Sequence, residues 1–141
     1  MQPIAPQLSA TVGTFAQRMP STRRGARLAR LFAAAQFRAW GVSPSVAERA
    51  EHVVAELASN AALHGRLPGR DFQLALTLDS PCGTLRIAVS DARPERLPTP
   101  SSAPETGHGL LIVAALADRW GADLSVPPLK TVWAELDHPL P

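Results

Sequence analysis

Hydrophobic and polar positions along this 141-residue chain follow two periods, one of three to four residues and one of two. The first helical-period segment covers residues 21–41, where apolar residues recur as on one face of an α-helix. Ser21 or Thr22 can cap its start, and Gly41 can end it. Its apolar face is predicted to contain Ala26, Leu28, Ala29, Leu31, Phe32, Ala35, Phe37 and Trp40.

Two further segments have the helical period. Residues 43–65 form the second predicted helix, in which Ser43 is a good N-cap and Pro44 suits the first helical position. Gly65 can end this helix. Residues 107–121 form the third predicted helix, which opens with the residues Gly-His-Gly and closes at a glycine.

Other segments alternate apolar and polar residues, which is the period of a strand with one buried face. Residues 10–19 suit an edge strand, and residues 71–91 suit two antiparallel strands joined by a turn at "SPCG". Residues 122–126 form a short predicted strand, and residues 131–137 form the last one. The chain therefore contains at least two hairpins.

The order of the elements is strand, two helices, hairpin, loop, helix, hairpin. This order predicts an α/β two-layer sandwich with helices packed on one face of a mixed, mostly antiparallel sheet. A single domain is expected over residues 10–138, after a flexible N-terminus at residues 1–9. Residues 92–106 are Pro-rich and aperiodic, and loops of this length are often lids over binding sites.

Composition limits the class of protein. Hydrophobic residues make up 45% of the chain and charged residues 18%, which allows a packed core and argues against wholesale disorder. The formal net charge of +2 is weak support for nucleic-acid binding. The sequence contains no run of 18 apolar residues, so no membrane span is predicted. The first ten residues lack the features of a signal peptide. The single Cys82 fits a reducing cytoplasm.

The first candidate for chemistry is a polar stripe on the second predicted helix. Glu56, Asn60 and His64 are spaced four residues apart and therefore share one helix face. They could simply be a solvated face. However, the residues around them are small and apolar, and Asn is a poor choice within a helix. An Asn oxygen is a suitable Mg²⁺ ligand, and a Glu one turn away could act as a general base.

Three other positions could form the remaining walls of a site. Asp91 ends a predicted strand just before the Pro-rich loop, where it could bind an amino group or merely start a turn. Gly107 and Gly109 open a helix, where bare N–H groups favour anions, although a flexible hinge is an equal alternative. Thr131 could direct its hydroxyl into the same pocket, but threonine is also simply a good strand former.

Taken in order, these features resemble the histidine-kinase-like (GHKL) ATPase superfamily. "ELASNAALHG" is similar to its N box, and "VSD" with the Pro-rich loop is similar to its first glycine box. "GHGLLIVAALADRWG" is similar to the second glycine box, and "KTVWAEL" to the closing strand. The resemblance covers residues 10–137 and is strongest to an actinobacterial subgroup related to anti-sigma factors that are also serine kinases. "STRRGARLARLFAAAQFRAWGV" is similar to that subgroup's first helix.

The resemblance implies that Mg-ATP lies between the helix layer and the lid. Asn60 would hold Mg²⁺ and Glu56 would be the catalytic base. Asp91 would bind the adenine amino group, supported by Thr131. The remaining residues that would border the nucleotide are His64, Gly107, His108, Gly109 and Leu110.

The sequence also departs from the pattern of the superfamily. The glycines expected after Asp91 are absent, because the sequence there reads "DARPE". A glycine often found before the closing strand is Leu129, and His108 stands between the two glycines of the third helix. The missing glycines leave the loop on the adenine side in doubt.

Three functions follow as hypotheses. The first is an ATP-binding regulatory protein that phosphorylates a serine of an anti-sigma factor antagonist, with a sigma factor as a second partner and a homodimer as its state. The second is a non-catalytic docking module of the same fold, which the missing glycines favour. The third, nucleic-acid binding by the Arg-rich first helix, is poorly supported because stacking aromatic residues are few.

Overall fold

The computed structural model describes residues 11–64, 71–79, 83–91, 104–123 and 130–138. The predicted N-terminal segment, the helix end at Gly65 and the lid up to residue 103 lie outside these ranges. The elements in chain order are β1 (Thr11–Pro20), α1 (Arg23–Ala39), α2 (Pro44–His64), β2 (Asp71–Asp79), β3 (Thr84–Asp91), α3 (Pro104–Leu116), β4 (Arg119–Asp123) and β5 (Lys130–Asp137).

The five described strands form one sheet in the order β1-β2-β3-β5-β4. Every pair of neighbouring strands in it is antiparallel, so the described sheet holds no parallel pair. The predicted two-layer α/β fold is confirmed, and the sheet is more uniform than the mixed one expected. The strand at 10–19 is at the edge, as its sequence predicted, because β1 pairs only with β2 within the described sheet.

The core lies between this sheet and the helices. Strands β2, β3 and β5 each alternate buried and half-buried residues, so one face of the sheet is covered. Helix α2 is central, because it packs on β2, β3 and β5 and also on α1 and α3. The largest fully buried side chains include Phe37, Leu57, Phe72, Leu74, Leu76, Leu85, Ile87, Leu110 and Leu136.

Helix α1 begins and ends as its sequence predicts, but its apolar face is narrower. Thr22 is the N-cap, and its Oγ1 accepts a hydrogen bond from Gly25 N at 3.0 Å. Gly41 follows the helix with φ of 71°, a conformation that glycine adopts readily. Leu31 and Phe32 are 65% and 42% exposed, so the predicted face was too broad. The reason is position, since α1 lies at the edge of the helix layer against α2 and β1.

The end of α3 differs from the prediction. The helix stops at Leu116 rather than Gly121, and Arg119–Asp123 is strand β4 instead of a helix end. Pairing with β5 explains the difference, because Asp118 N donates to Glu135 O at 2.9 Å and Arg119 reaches two acids of β5. Gly121 also fits closely there, since a Cβ at this position would lie 2.8 Å from the Trp133 ring.

The start of α2 is hydrogen-bonded to His138, a residue far away in the sequence. Ser43 takes the predicted N-cap position, and its carbonyl accepts from Ala47 N at 2.8 Å. Its own N–H donates to Nε2 of the buried His138 at 3.0 Å. Among the described helices, none is long and apolar enough to cross a membrane.

Candidate functional site

The polar stripe of α2 is half-buried. Glu56 and Asn60 lie one helical turn apart, and the Glu56 side chain is 27% exposed. Leu57, Ala58 and Ala61, which flank them, are buried in the core. Toward the start of α2 the same row continues through the exposed Glu48 and His52, so Glu56 and Asn60 form the half-buried end of a polar helix face. His64 is the last residue of α2, and its side chain lies outside the described part of the site.

Among the described residues, Glu56 has one ionisable side chain within 4 Å. Its Oε2 lies 3.9 Å from Nε2 of His52, one turn earlier on the same helix. The His52 side chain is 56% exposed, so this contact is a loose one at the surface. Glu56 is therefore partly accessible to solvent at the surface of α2.

Asp91 is the most deeply buried acid in the described structure. It ends β3 as predicted, and its side chain is 4% exposed. It shares the covered sheet face with Leu85, Ile87 and Val89, beneath the helices. A carboxylate in such a place needs polar partners, because burying an uncompensated charge is costly. One partner is Lys130, whose Nζ lies 3.6 Å from Asp91 Oδ2.

Thr131 lies on the other face of the sheet. Residues alternate along β5, so Lys130 is buried with Val132 and Ala134 while Thr131 is half-buried on the opposite side. The Thr131 hydroxyl is 2.7 Å from that of Ser90, its cross-strand neighbour. The structure therefore brings Lys130 rather than Thr131 to Asp91.

Lys130 is the site residue that the sequence interpretation missed. The signal for it was present, because Lys130 has the same two-residue phase as Val132, Ala134 and Leu136. The predicted last strand began at residue 131, one residue too late to include Lys130. A lysine in phase with a buried apolar face predicts a buried acid opposite, and Asp91 is its partner in the register.

The glycines of the third helix lie further inside it than expected. The helix begins at Pro104, a residue that suits the first helical position, so Gly107 is the fourth residue. Only the first four N–H groups of a helix lack partners within it. Counted from the N-cap, these free N–H groups end at Thr106, so Gly107, His108 and Gly109 all lie beyond them. Leu110, also predicted to border a ligand, is 1% exposed and packs in the core.

The predicted residues nevertheless lie on one side of the sheet, apart from Thr131. Helix α2 carries Glu56 and Asn60 and packs on both β3, which ends at Asp91, and α3. Arg49 Nη1 donates to Leu116 O at 3.0 Å, which holds the end of α3 against the first half of α2. The arrangement has a carboxylate and an amide oxygen on one helix and a buried acid at a strand end.

The oxygen atoms of α2 suit a magnesium ion. Mg²⁺ prefers oxygen ligands and retains water and phosphate in most of its positions, so one or two protein oxygens suffice. Asn60 would supply one such oxygen, that of its side-chain amide. No group of three or more His, Cys, Asp or Glu that could hold a metal occurs among the described residues.

Comparison with known proteins identifies the family. Residues 19–134 match the family model described as histidine kinase-like ATPase domain. A crystal structure of the RsbU and RsbW domains of Rv1364c from Mycobacterium tuberculosis superposes with a TM-score of 0.70 at 18% identity. That match covers 92% of this chain and 33% of the other, so this chain spans about a third of that protein's length. The search of curated proteins found no match.

Proposed function

The chain belongs to the histidine kinase-like ATPase domains, and from that premise we propose that it is an ATP-binding regulatory protein with serine/threonine kinase activity. Its substrate would be an anti-sigma factor antagonist. The observation that carries the proposal is the pair Glu56 and Asn60, half-buried on α2 and on the same side of the sheet as the buried Asp91. The likeness to a solved structure with an RsbW domain supports the choice of partner.

Each residue has a role in this proposal. Asp91 accepts a hydrogen bond from the exocyclic amino group of adenine, for which a buried carboxylate is well suited. Asn60 holds Mg²⁺ through its amide oxygen, and the bound ion would offset the charge of the phosphates. Gly107, in the first turn of α3, has no side chain and so would let a phosphate approach the N-terminus of the helix.

Glu56 is the proposed general base. It would accept the proton of the serine hydroxyl as that oxygen forms a bond to the γ-phosphorus and the bond to the β,γ-bridging oxygen breaks. The products are ADP and phosphoserine, and Glu56 then releases the proton to solvent. Its 27% exposure leaves the carboxylate accessible to a hydroxyl on another protein. Correct positioning of a base contributes about 10²–10⁴-fold to such reactions.

A calorimetric titration with Mg-ATP tests the nucleotide site. The wild-type chain should bind Mg-ATP, and Asn60→Ala should lose the Mg²⁺-dependent part of the affinity. Ser59→Ala, one residue away on α2, is the matched control and should bind as the wild type does. Equal affinity for Mg-ATP in Asn60→Ala and wild type would show that Asn60 does not hold the metal.

A second candidate is a non-catalytic docking module of the same fold. The ion pair between Asp91 and Lys130 favours it, because Lys130 already contacts the carboxylate that adenine would use. Incubation with γ-labelled ATP and purified antagonist proteins separates the two functions. Label on the antagonist supports the kinase, while complex formation without label supports the module.

The remaining parts of the proposal concern partners and place. A sigma factor and a second copy of the chain are further partners that the family resemblance implies, and the cytoplasm is the expected compartment. Size-exclusion chromatography with light scattering, with and without a candidate sigma factor, tests both interactions. A monomer that retains no sigma factor would remove them from the proposal.

A further inference from the structure

A cleft lies between α1 and α2, on a different flank of α2 from Glu56 and Asn60. Its volume is about 380 Å³. One wall, from α1, carries Arg23, Arg27 and Arg30. The other wall, from α2, consists of the small residues Ala55, Ser59 and Ala62. These six residues define what we call the basic cleft.

Helical spacing sets the shape of the basic cleft. Residues separated by four and then three positions lie on one helix face, so the three arginines form a single row. With a rise of about 1.5 Å per residue, the row from Arg23 to Arg30 is about 10 Å long. The facing residues on α2 have the same spacing and are short, which leaves the space between the helices open. The cleft is therefore a short track and not a point site.

The charged residues of α1 are all basic. The helix contains five arginines and no acidic residue, and its first turn holds Arg23 and Arg24. Cations are unfavourable at a helix N-terminus, where the backbone dipole is positive. None of the cleft arginines forms an ion pair with any residue in the described part of the chain. This unfavourable charge, without an ion pair among the described residues, favours a site that an anionic partner completes.

We propose that the basic cleft binds an acidic segment of a partner protein. Three cationic groups along about 10 Å match carboxylates spaced along a peptide better than one compact phosphate. Leu31, which is 65% exposed, lies one turn beyond Arg27 and offers an apolar contact at the rim. A helix with acidic residues at positions i, i+4 and i+7 and one apolar neighbour complements both features.

Nucleic acid fits the basic cleft less well. The residues that line it include no aromatic side chain on which a base could stack. The net charge of the whole chain is only +2, which is weak support for a nucleic-acid ligand. A protein segment is the ligand that the short track and its apolar rim favour.

Fluorescence anisotropy with the full chain, without nucleotide, tests the proposal. The probe is a fluorescein-labelled helical peptide with Glu at positions i, i+4 and i+7 and one Leu, compared with the same peptide carrying Gln. The Glu peptide should bind about tenfold more tightly, and its affinity should fall as salt is added. Because no nucleotide is present, failure of Mg-ATP binding would count only against the proposed kinase function.

Matched variants distinguish binding in the basic cleft from attraction by positive charge elsewhere on the protein. The triple variant Arg23→Gln/Arg27→Gln/Arg30→Gln should weaken binding about tenfold. The variant Arg18→Gln/Arg24→Gln/Arg38→Gln removes the same charge outside the cleft and should bind as the wild type does. Ser59→Phe keeps every charge but fills the cleft, and it should also weaken binding. Circular dichroism checks that each variant is folded.

Several results would overturn the proposal. Equal loss in both triple variants would show that diffuse charge attracts the peptide, and full affinity in Ser59→Phe would show that it binds elsewhere. A single-stranded oligonucleotide or inorganic phosphate that displaces the peptide at lower concentration would replace it as the ligand. Amide shifts of wild-type ¹⁵N-labelled protein must change at the six cleft residues, a requirement that holds even if a variant fails to fold.

Discussion

Lys130 Nζ lies 3.6 Å from Asp91 Oδ2, with both side chains more than nine-tenths buried on the helix side of the sheet. The two residues face each other across β3 and β5. In a buried ion pair, the attraction between the two charges offsets their loss of hydration. Removing one partner is therefore costly, because the other charge is then buried without compensation. The residue proposed to recognise adenine is thus also part of the structure that holds the end of β3.

Lys130→Met should destabilise the fold by about 3 kcal/mol, because it removes a cation from beside a buried carboxylate. The double variant Asp91→Asn/Lys130→Met should recover much of that loss, since it removes both charges. Urea denaturation of the two single variants and the double variant gives the coupling free energy. Additive losses would show that the pair contributes no mutual stabilisation.

Glu56→Gln should bind Mg-ATP as the wild type does, yet transfer label to an antagonist at least about 10²-fold more slowly. The amide keeps the size and polarity of the side chain but cannot accept the proton. Glu48→Gln, an exposed acid on the same helix, is the control and should retain full activity. Unchanged transfer in Glu56→Gln would remove Glu56 from the catalytic role.

The sequence predicted the elements better than their ends. Helix α1 and the β2–β3 hairpin are where the periods placed them, because caps and strict alternation are local signals. The short strand predicted at residues 122–126 begins earlier in the structure, at Arg119, because its pairing with β5 and its ion pairs with distant acids are tertiary effects. The exposure of Leu31 likewise depends on where α1 lies in the layer.

The candidate site was predictable to a similar extent. Glu56 and Asn60 could be identified because one helix contains both. The partner of Asp91 required the register of two strands that are far apart in sequence, and that register selects Lys130 over Thr131. A pattern within one helix or strand can therefore be predicted from the sequence, whereas a contact between two strands can be identified only from their pairing in the structure.

Gly25→Ala should destabilise the protein by about 1–3 kcal/mol, although alanine is the better helix former by about 1 kcal/mol. A Cβ at Gly25 would lie 1.9 Å from the carbonyl oxygen of Pro20, so the backbone must move. Thermal denaturation measures the change. The reverse exchange at an exposed position, Ala35→Gly, measures the helix propensity effect alone and should also destabilise the protein. We therefore expect both exchanges to lower the melting temperature, although propensity alone would make their effects opposite. Stabilisation by Gly25→Ala would mean that the close approach to Pro20 is absent.

Arg119 links β4 to two carboxylates of β5 and makes their contribution dependent on pH. Its guanidinium donates to Asp137 and Glu135, and these hydrogen bonds lower the pKa of each carboxyl below its ordinary value of 3.8 or 4.5. A carboxyl with a lowered folded-state pKa stabilises the fold above its unfolded-state pKa. That contribution is lost as the pH falls through the folded-state pKa.

Arg119→Gln should therefore lower stability at neutral pH, and the difference from wild type should disappear in acid below the lowered pKa values. In the variant the pKa of Asp137 should return toward its ordinary value, whereas the pKa of Glu135 should stay partly lowered because Arg86 remains 3.0 Å away. Carboxyl ¹³C titration by NMR measures both values, and urea midpoints across the pH range measure stability. Arg38→Gln, an exposed arginine without an ion pair in the described structure, controls for loss of charge. A stability difference that persists unchanged in acid would show that Arg119 acts through packing and not through its two carboxylates.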